Sequence, residues 1–355
     1  MPRVLFSAHW LPREGPKLVM IYPEEIISRD ALLDIFGLAL RQTLIYEEEF
    51  VSGYYTARVP SMAPSGLRGN IAVYITGKGR RIVMGLLLGE DEDPYIYKGA
   101  LIWSLIEYVN KGMTTDIETL DFIWRKILAY PRMPLEQKIM DILADMVARL
   151  IIDVLSDEGY IIFHDLARGI TDRSYIKANV ELLHDYVRVL EGLGILYVDI
   201  NPIQLEEFIY LVRRPYITLT KPRYIKRLLT RKPELKEEIR ELAEKHLSQI
   251  EEWTKIFASV LEDPAAYDLL SALRDKPIPK DNLTENQRAL MDEFIKLDIV
   301  REYENKYYLI FDPRIAFILP EETVVSKLEK ILSGSESEIE ILTLIRWLSI
   351  LEHYY

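Results

Sequence analysis

Apolar residues recur along this chain in two periods, and the dominant period changes with position. Up to about residue 112 the signal is short apolar or alternating runs bounded by turn residues, which predicts strands. RVLFSAHW and KLVMIYP are two such runs, and Pro12-Arg13-Glu14-Gly15-Pro16 between them reads as a hairpin turn. Ser28 then caps a helix with Ala31, Leu32, Ile35, Phe36, Leu38 and Ala39 on its apolar side. GYYTARVP, NIAVYITG and RRIVMGLLLG predict three more strands, the last two joined at Gly77-Lys78-Gly79. A second helix, roughly Tyr97 to Val109, buries Leu101, Ile102, Leu105, Ile106 and Val109. One five-stranded antiparallel sheet with helices packed on it satisfies the order β-β-α-β-β-β-α with short connections.

Beyond a polar linker at Asn110 to Thr115 the period becomes helical. Helices are predicted at about 116–129 and 135–156, separated by Pro131 and Pro134. YIIF and HDLARGI follow. An apolar-periodic helix then runs from Ser174 to about Leu190, and Glu191-Gly192-Leu193-Gly194 leads into the strand ILYVDI. Helix, helix, glycine and strand is the rhythm of a winged helix. A second copy comes later, with AAYDLLSALRD, LTENQRALMDEFIKLD and the hairpin VREYENKYYLIF, turning at Asn305-Lys306. A Glu/Lys-rich helix from Pro233 to about Leu261 lies between the copies. After the break SGSESE, a helix from Glu336 to His353 closes the chain. The predicted class is α+β. Its parts are a sheet domain at 1–112, a helical linker at 113–158 and a first winged-helix unit at 159–232. A charged connecting helix at 233–261, a second winged-helix unit at 262–320 and C-terminal helices at 321–355 complete it.

Composition narrows the class. The length of 355 residues suits two or three domains, and 49% apolar residues can fill their cores. The absence of cysteine excludes disulfides, thiolate metal sites and a cysteine nucleophile. MPRVLFSAHWLPREGPK is broken by charges and prolines and does not read as a signal peptide. IAVYI and IVMGLLLG are far shorter than the ~20 residues of a membrane-spanning helix. The expectation is a cytoplasmic protein that does not span a membrane. Abundant Ile, Tyr, Glu and Lys without cysteine point to a thermophile.

Little in the sequence carries chemistry by itself. There is no phosphate-binding loop, and TGKGRR has no helix behind it. The histidines at 9, 164, 184, 246 and 353 lack metal-ligand spacing, and His164 and His184 read as structural. Glu47-Glu48-Glu49 reads as a solvated helix end, since adjacent side chains on a strand diverge. No cofactor, metal or self-contained active site is expected.

The net charge of −12 argues against a protein that coats nucleic acid with its whole surface. It nevertheless contains a cationic strip, RRPYITLTKPRYIKRLLTRK at 213–232, with eight Lys or Arg and no acid. Arg213, Arg214, Lys221, Arg223, Lys226 and Arg227 are its candidate anion-binding residues. Three readings compete. The strip binds nucleic acid, with Tyr216 and Tyr224 stacking on bases. It meets an acidic membrane surface or an acidic partner protein. Or it is a solvated face paired with the following helix, where Glu234, Glu237, Glu238, Glu241 and Glu244 stand. The helix that reads DNA in a winged unit is here nearly neutral and apolar: Lys177 and Arg188 face Glu181 and Asp185. It looks built for packing.

GPKLVMIYPEEIISRDALLD resembles the start of the nitrogen-permease-regulator-2-like family, through Gly15, Pro16, Lys17, Pro23, Glu24, Ile27, Ser28 and Arg29. Phe6-Ser7 fits that family's opening strand. The resemblance, to the family or to an archaeal relative of it, implies a longin-like N-terminal domain followed by winged helices. It also implies a subunit of a complex that stimulates GTP hydrolysis by Rag-type small GTPases. The implied partners are the GTPase and a second longin or roadblock-type subunit. The family supplies an arginine finger from the loop before a central strand. The corresponding segment is PSMAPSGLRGNIAVYITG, which places the finger at Arg68, between Gly66 and Gly69. Arg58 is the other arginine near that strand. The runner-up functions are a winged-helix DNA-binding regulator and a non-enzymatic scaffold.

Overall fold

The first strand-like runs pair as their pattern predicts. In the computed structural model β1 (Val4–Leu11), β2 (Gly15–Tyr22), α1 (Arg29–Leu44), β3 (Gly53–Arg58), β4 (Asn70–Thr76) and β5 (Arg81–Leu88) follow in order. The strands form one antiparallel sheet, β2-β1-β5-β4-β3. The structure describes residues 2–11, 15–44, 53–59, 68–76, 81–173, 180–200, 206–233, 235–333 and 337–354. The turn residues 12–14, Glu47-Glu48-Glu49, Gly66, Gly77-Lys78-Gly79, Lys177 and Glu234 lie outside them.

Alternation gives the sheet two apolar faces. Phe6, Ala8, Ile71, Val73, Ile75 and Val83 share one core with Leu32, Ile35 and Phe36 of α1. Phe6 and Phe36 meet edge to face, ring centres 5.5 Å apart. Ser28 caps α1 by accepting the Ala31 N–H at 3.3 Å. On the other face Leu5, Ala72, Tyr74, Met84 and Leu86 are buried. There α2 (Lys98–Asn110) packs on β4 and β5, with α3 (Ile117–Ala129) against it.

The remaining chain is mostly helical. It begins with α4 (Leu135–Ala144), α5 (Met146–Glu158), β6 (Tyr160–Ile162), α6 (Phe163–Arg173) and α7 (Val180–Gly192). β7 (Leu196–Ile200), β8 (Glu207–Leu211), β9 (Arg214–Thr220), α8 (Ile225–Arg231), α9 (Leu235–Leu247) and α10 (Ile250–Leu261) follow. Next come α11 (Pro264–Asp275), β10 (Ile278–Pro279), α12 (Glu285–Lys296), β11 (Val300–Tyr303) and β12 (Lys306–Leu309). The chain ends with β13 (Asp312–Ile318), α13 (Glu321–Leu332) and α14 (Glu338–Tyr354). Among the described residues no helix is long and apolar enough to cross a membrane.

Several boundaries differ from the expected ones. The helix expected at 135–156 is two. Asp145 is extended (φ −77°, ψ 133°), and its carboxylate accepts the Ala148 N–H at 2.9 Å, which ends α4 and caps α5. The helix expected at 233–261 is also two, α9 and α10. The late hairpin turns on Glu304 and Asn305, both at positive φ (49° and 59°), one residue earlier than expected. β8 and β13 were not foreseen, and the basic strip contains β9. The sheets β6-β8-β7 and β10-β12-β11 share one order, the third strand lying between the first and the second.

Two compact units emerge: Met1–Arg132 with Ser174–Gly192, and Met133–Arg173 with Leu193–Tyr355. The segment read as a recognition helix is α7. It belongs to the first unit and packs on α2 and β4.

A buried charge network ties α4, α11 and β13 within the second unit. Arg274 pairs with Asp312 at 2.7 Å and with Glu136 at 3.0 Å, and donates to the Pro313 carbonyl at 2.8 Å. Tyr267 donates to the same Glu136 at 2.6 Å, and burial pushes its phenol up to about 12. Arg274→Met removes the central cation from the buried Asp312 and the partly buried Glu136 and leaves them Arg314, at 2.7 and 3.4 Å. Because Arg314 still compensates both charges, we expect it to lower unfolding free energy by about 1.5–3 kcal/mol in urea titration. A loss below about 1 kcal/mol would show the network to be replaceable.

Candidate functional site

Arg68 stands at the foot of β4, and its neighbours fix where it starts. The Asn70 side chain donates to the carbonyls of Gly89 (3.4 Å), Glu90 (3.3 Å) and Glu92 (2.9 Å). Those bonds tie the turn after β5 to the start of β4. Gly69 fits tightly there, because a Cβ would stand 2.1 Å from the Leu88 carbonyl oxygen. The Gly69 carbonyl accepts the Val59 N–H at 2.9 Å. The Arg68 carbonyl accepts from Arg3 at 3.3 Å. The glycine after Arg68 is therefore a packing requirement of the sheet.

The Arg68 side chain is exposed, and among the described residues it has no hydrogen bond or ion pair. Arg58, opposite Asn70 in the register, differs in having a carboxylate in reach, Glu90 at 3.5 Å. Three arginines, at 3, 58 and 68, thus gather at one end of the sheet. Arg3 and the carbonyls that Asn70 holds carry no local sequence signal, since the sheet brings them to this loop from the N-terminus and from the turn after β5.

The opposite end of β4 is anchored. Tyr74 donates to Asp185 of α7, Thr76 donates to the same carboxylate at 2.6 Å, and Arg188 donates to the Tyr74 oxygen at 3.2 Å. Burial pushes the Asp185 carboxyl above the usual range, outweighing the two hydroxyl donors. A raised carboxyl binds its proton more tightly folded than unfolded. Stability therefore falls as pH rises from the unfolded value of about 3.9 through the folded one. Asp185→Asn cannot titrate. Its urea midpoint is expected to lack that decline, and parallel pH profiles for variant and wild type would contradict this.

The basic strip divides into two parts. Arg213 is held inside the second unit: it donates to the carbonyls of Gly194 (2.9 Å) and Leu193 (3.2 Å) and stacks on Phe317 at 3.9 Å. Burial lowers its pKa. Arg214 pairs with Asp153 at 3.2 Å. These two are positioned for packing. Lys221, Arg223, Lys226 and Arg227 are exposed, around the start of α8. Tyr224 is an anchor, donating to the Leu273 carbonyl at 2.9 Å and accepting the Leu309 N–H at 2.8 Å. On α9, Glu237 and Glu244 pair with Arg240, and Glu238 pairs with Arg301. Three of the five glutamates expected to face the strip thus have partners elsewhere.

No family model, no curated protein and no solved structure matches the chain.

Proposed function

We propose that this chain is a regulatory protein that binds a small Ras-like or Rag-like GTPase and inserts Arg68 into its active site. The observation that carries the reading is the exposed guanidinium of Arg68, unpartnered among the described residues, on a backbone locked by Gly69 and Asn70. A GTPase moving its γ-phosphoryl group to water gathers negative charge on the phosphoryl oxygens. A guanidinium supplied in trans stabilises that charge and holds two oxygens with one planar fork. An arginine already neutralised by a carboxylate serves this less well, which favours Arg68 over Arg58.

On this reading the N-terminal sheet unit is longin-like and pairs with a second longin or roadblock-type subunit. The two three-stranded sheets with their helices are winged-helix units that serve assembly. The resemblance of residues 15–34 to the nitrogen-permease-regulator-2-like family supports it. Reading of DNA by α7 is disfavoured, because Leu182, Leu183, Asp185, Tyr186, Val187 and Leu190 of that helix are all buried. Only the exposed cations of the strip speak for nucleic acid.

The test is single-turnover GTP hydrolysis by candidate small GTPases with this protein, wild type and Arg68→Ala. Binding without acceleration keeps the partner class and discards the finger. Absence of both binding and acceleration discards the reading.

A further inference from the structure

The second unit contains a pocket of about 150 Å³ that none of the preceding roles uses. Its walls come from the end of α4, from α5, from β9 and α10, and from the last residue of β13. Ile152, Pro215 and Ile318 give it apolar lining. Its charged groups are Arg149, Arg214, Asp153 and Lys255.

Among these lining groups cations outnumber carboxylates three to one. Arg214 and Asp153 neutralise each other at 3.2 Å. Arg149 is half-buried. One of its nitrogens donates to two backbone carbonyls at the end of α4, Leu143 and Ala144, the latter at 2.8 Å. Carbonyl dipoles there suit a cation but supply no counter-charge. Among the described residues no carboxylate forms an ion pair with Arg149; Asp145 and Asp153 attract it from farther off, and burial outweighs them and lowers its pKa. Lys255 is exposed at the mouth, also without an ion-pair partner among the described residues. A desolvated guanidinium in an apolar recess gains from an anion that fills the remaining donors.

We propose that this pocket binds a small organic carboxylate, its charged end on Arg149 and Lys255 and its short aliphatic body against Ile152, Pro215 and Ile318. A cavity of this volume holds a body of about six heavy atoms. The apolar wall favours a carboxylate with a hydrocarbon tail over a bare inorganic anion, which would leave that wall uncovered.

The test uses the full chain and three probes at matched ionic strength: sodium isovalerate, inorganic phosphate and isoamyl alcohol. Binding is read by calorimetry and by saturation-transfer NMR. Two variants keep the fold out of the question, because both positions are substantially exposed. Ile318→Glu places a carboxylate at the wall, and Lys255→Gln removes the cation at the mouth. The expected result is saturable isovalerate binding, weakened at least about tenfold by Ile318→Glu and about threefold by Lys255→Gln. Neither the alcohol nor phosphate should match isovalerate. The proposal is overturned by no saturation up to about 20 mM. It is equally overturned by phosphate or alcohol binding as tightly as isovalerate, or by equal binding to wild type and Ile318→Glu.

Discussion

On the proposed reading, Arg68→Ala is expected to abolish the acceleration of GTP hydrolysis and to leave the complex and the fold intact. That is the expected result if the guanidinium acts in trans, where such a group raises the rate by roughly 10³–10⁵. The side chain is exposed and unpartnered among the described residues, so its loss removes no internal contact. The melting midpoint should hardly change, since surface substitutions of this kind stay within about 0.5 kcal/mol. Arg68→Lys keeps the charge and loses the fork, and should recover only a small part of the rate. Arg58→Ala is the control at the same end of the sheet. It releases Glu90 from an exposed pair worth about 0–1 kcal/mol and should leave the acceleration unchanged. Undiminished acceleration by Arg68→Ala would rule out the finger.

Trp347→Ala in α14 is expected to cost about 3–5 kcal/mol, measured as a shifted urea midpoint. The indole is fully buried among Phe208, Tyr210, Val212, Leu344 and Ile350. Its N–H donates to the Leu211 carbonyl at 2.7 Å, and Tyr160 meets it edge to face at 5.7 Å. The ring lies against Gly159, the residue after α5, which sits at φ 76°. A Cβ at Gly159 would come within 2.4 Å of the ring. The site cannot collapse easily around so large a hole, because β8 and the end of α5 are held by backbone hydrogen bonds, including Leu211 to Gly159 at 2.8 Å. A loss under about 1 kcal/mol would mean that α14 contributes little to this unit.

The N-terminal sheet was legible because each strand carries its own pattern and the pairs β1–β2, β3–β4 and β4–β5 join strands consecutive in the chain; the β1–β5 pairing, Val4 opposite Leu87, has no local signal. The divided helices were not. Asp145 breaks a run of good helix formers with neither proline nor glycine, through one side-chain cap. β9 and β13 pair Thr220 with Asp312, and no local periodicity encodes a partner so distant in the chain. The strip at 213–232 read as one charged object. The fold uses Arg213 and Arg214 as packing groups and leaves Lys221, Arg223, Lys226 and Arg227 outside. Arg68 was placed by its sequence neighbours, whereas the 150 Å³ pocket draws on five elements and had no linear signature.

α7 lies in the first unit, yet it is encoded after α4, α5 and α6, which belong to the second. The first unit therefore cannot be completed as it leaves the ribosome. After Arg132 come about forty residues of the second unit, Met133–Arg173, and then about twenty more of the first unit's own, up to Gly192. At roughly 5–20 residues per second the ribosome needs about 3–12 s to bridge them. During that interval the hydroxyls of Tyr74 and Thr76 await Asp185, and the face of α2 that takes α7 is uncovered. A nascent chain arrested at residue 132 should thus be recognised by chaperones that bind apolar surface, and one long enough to expose α7 should not.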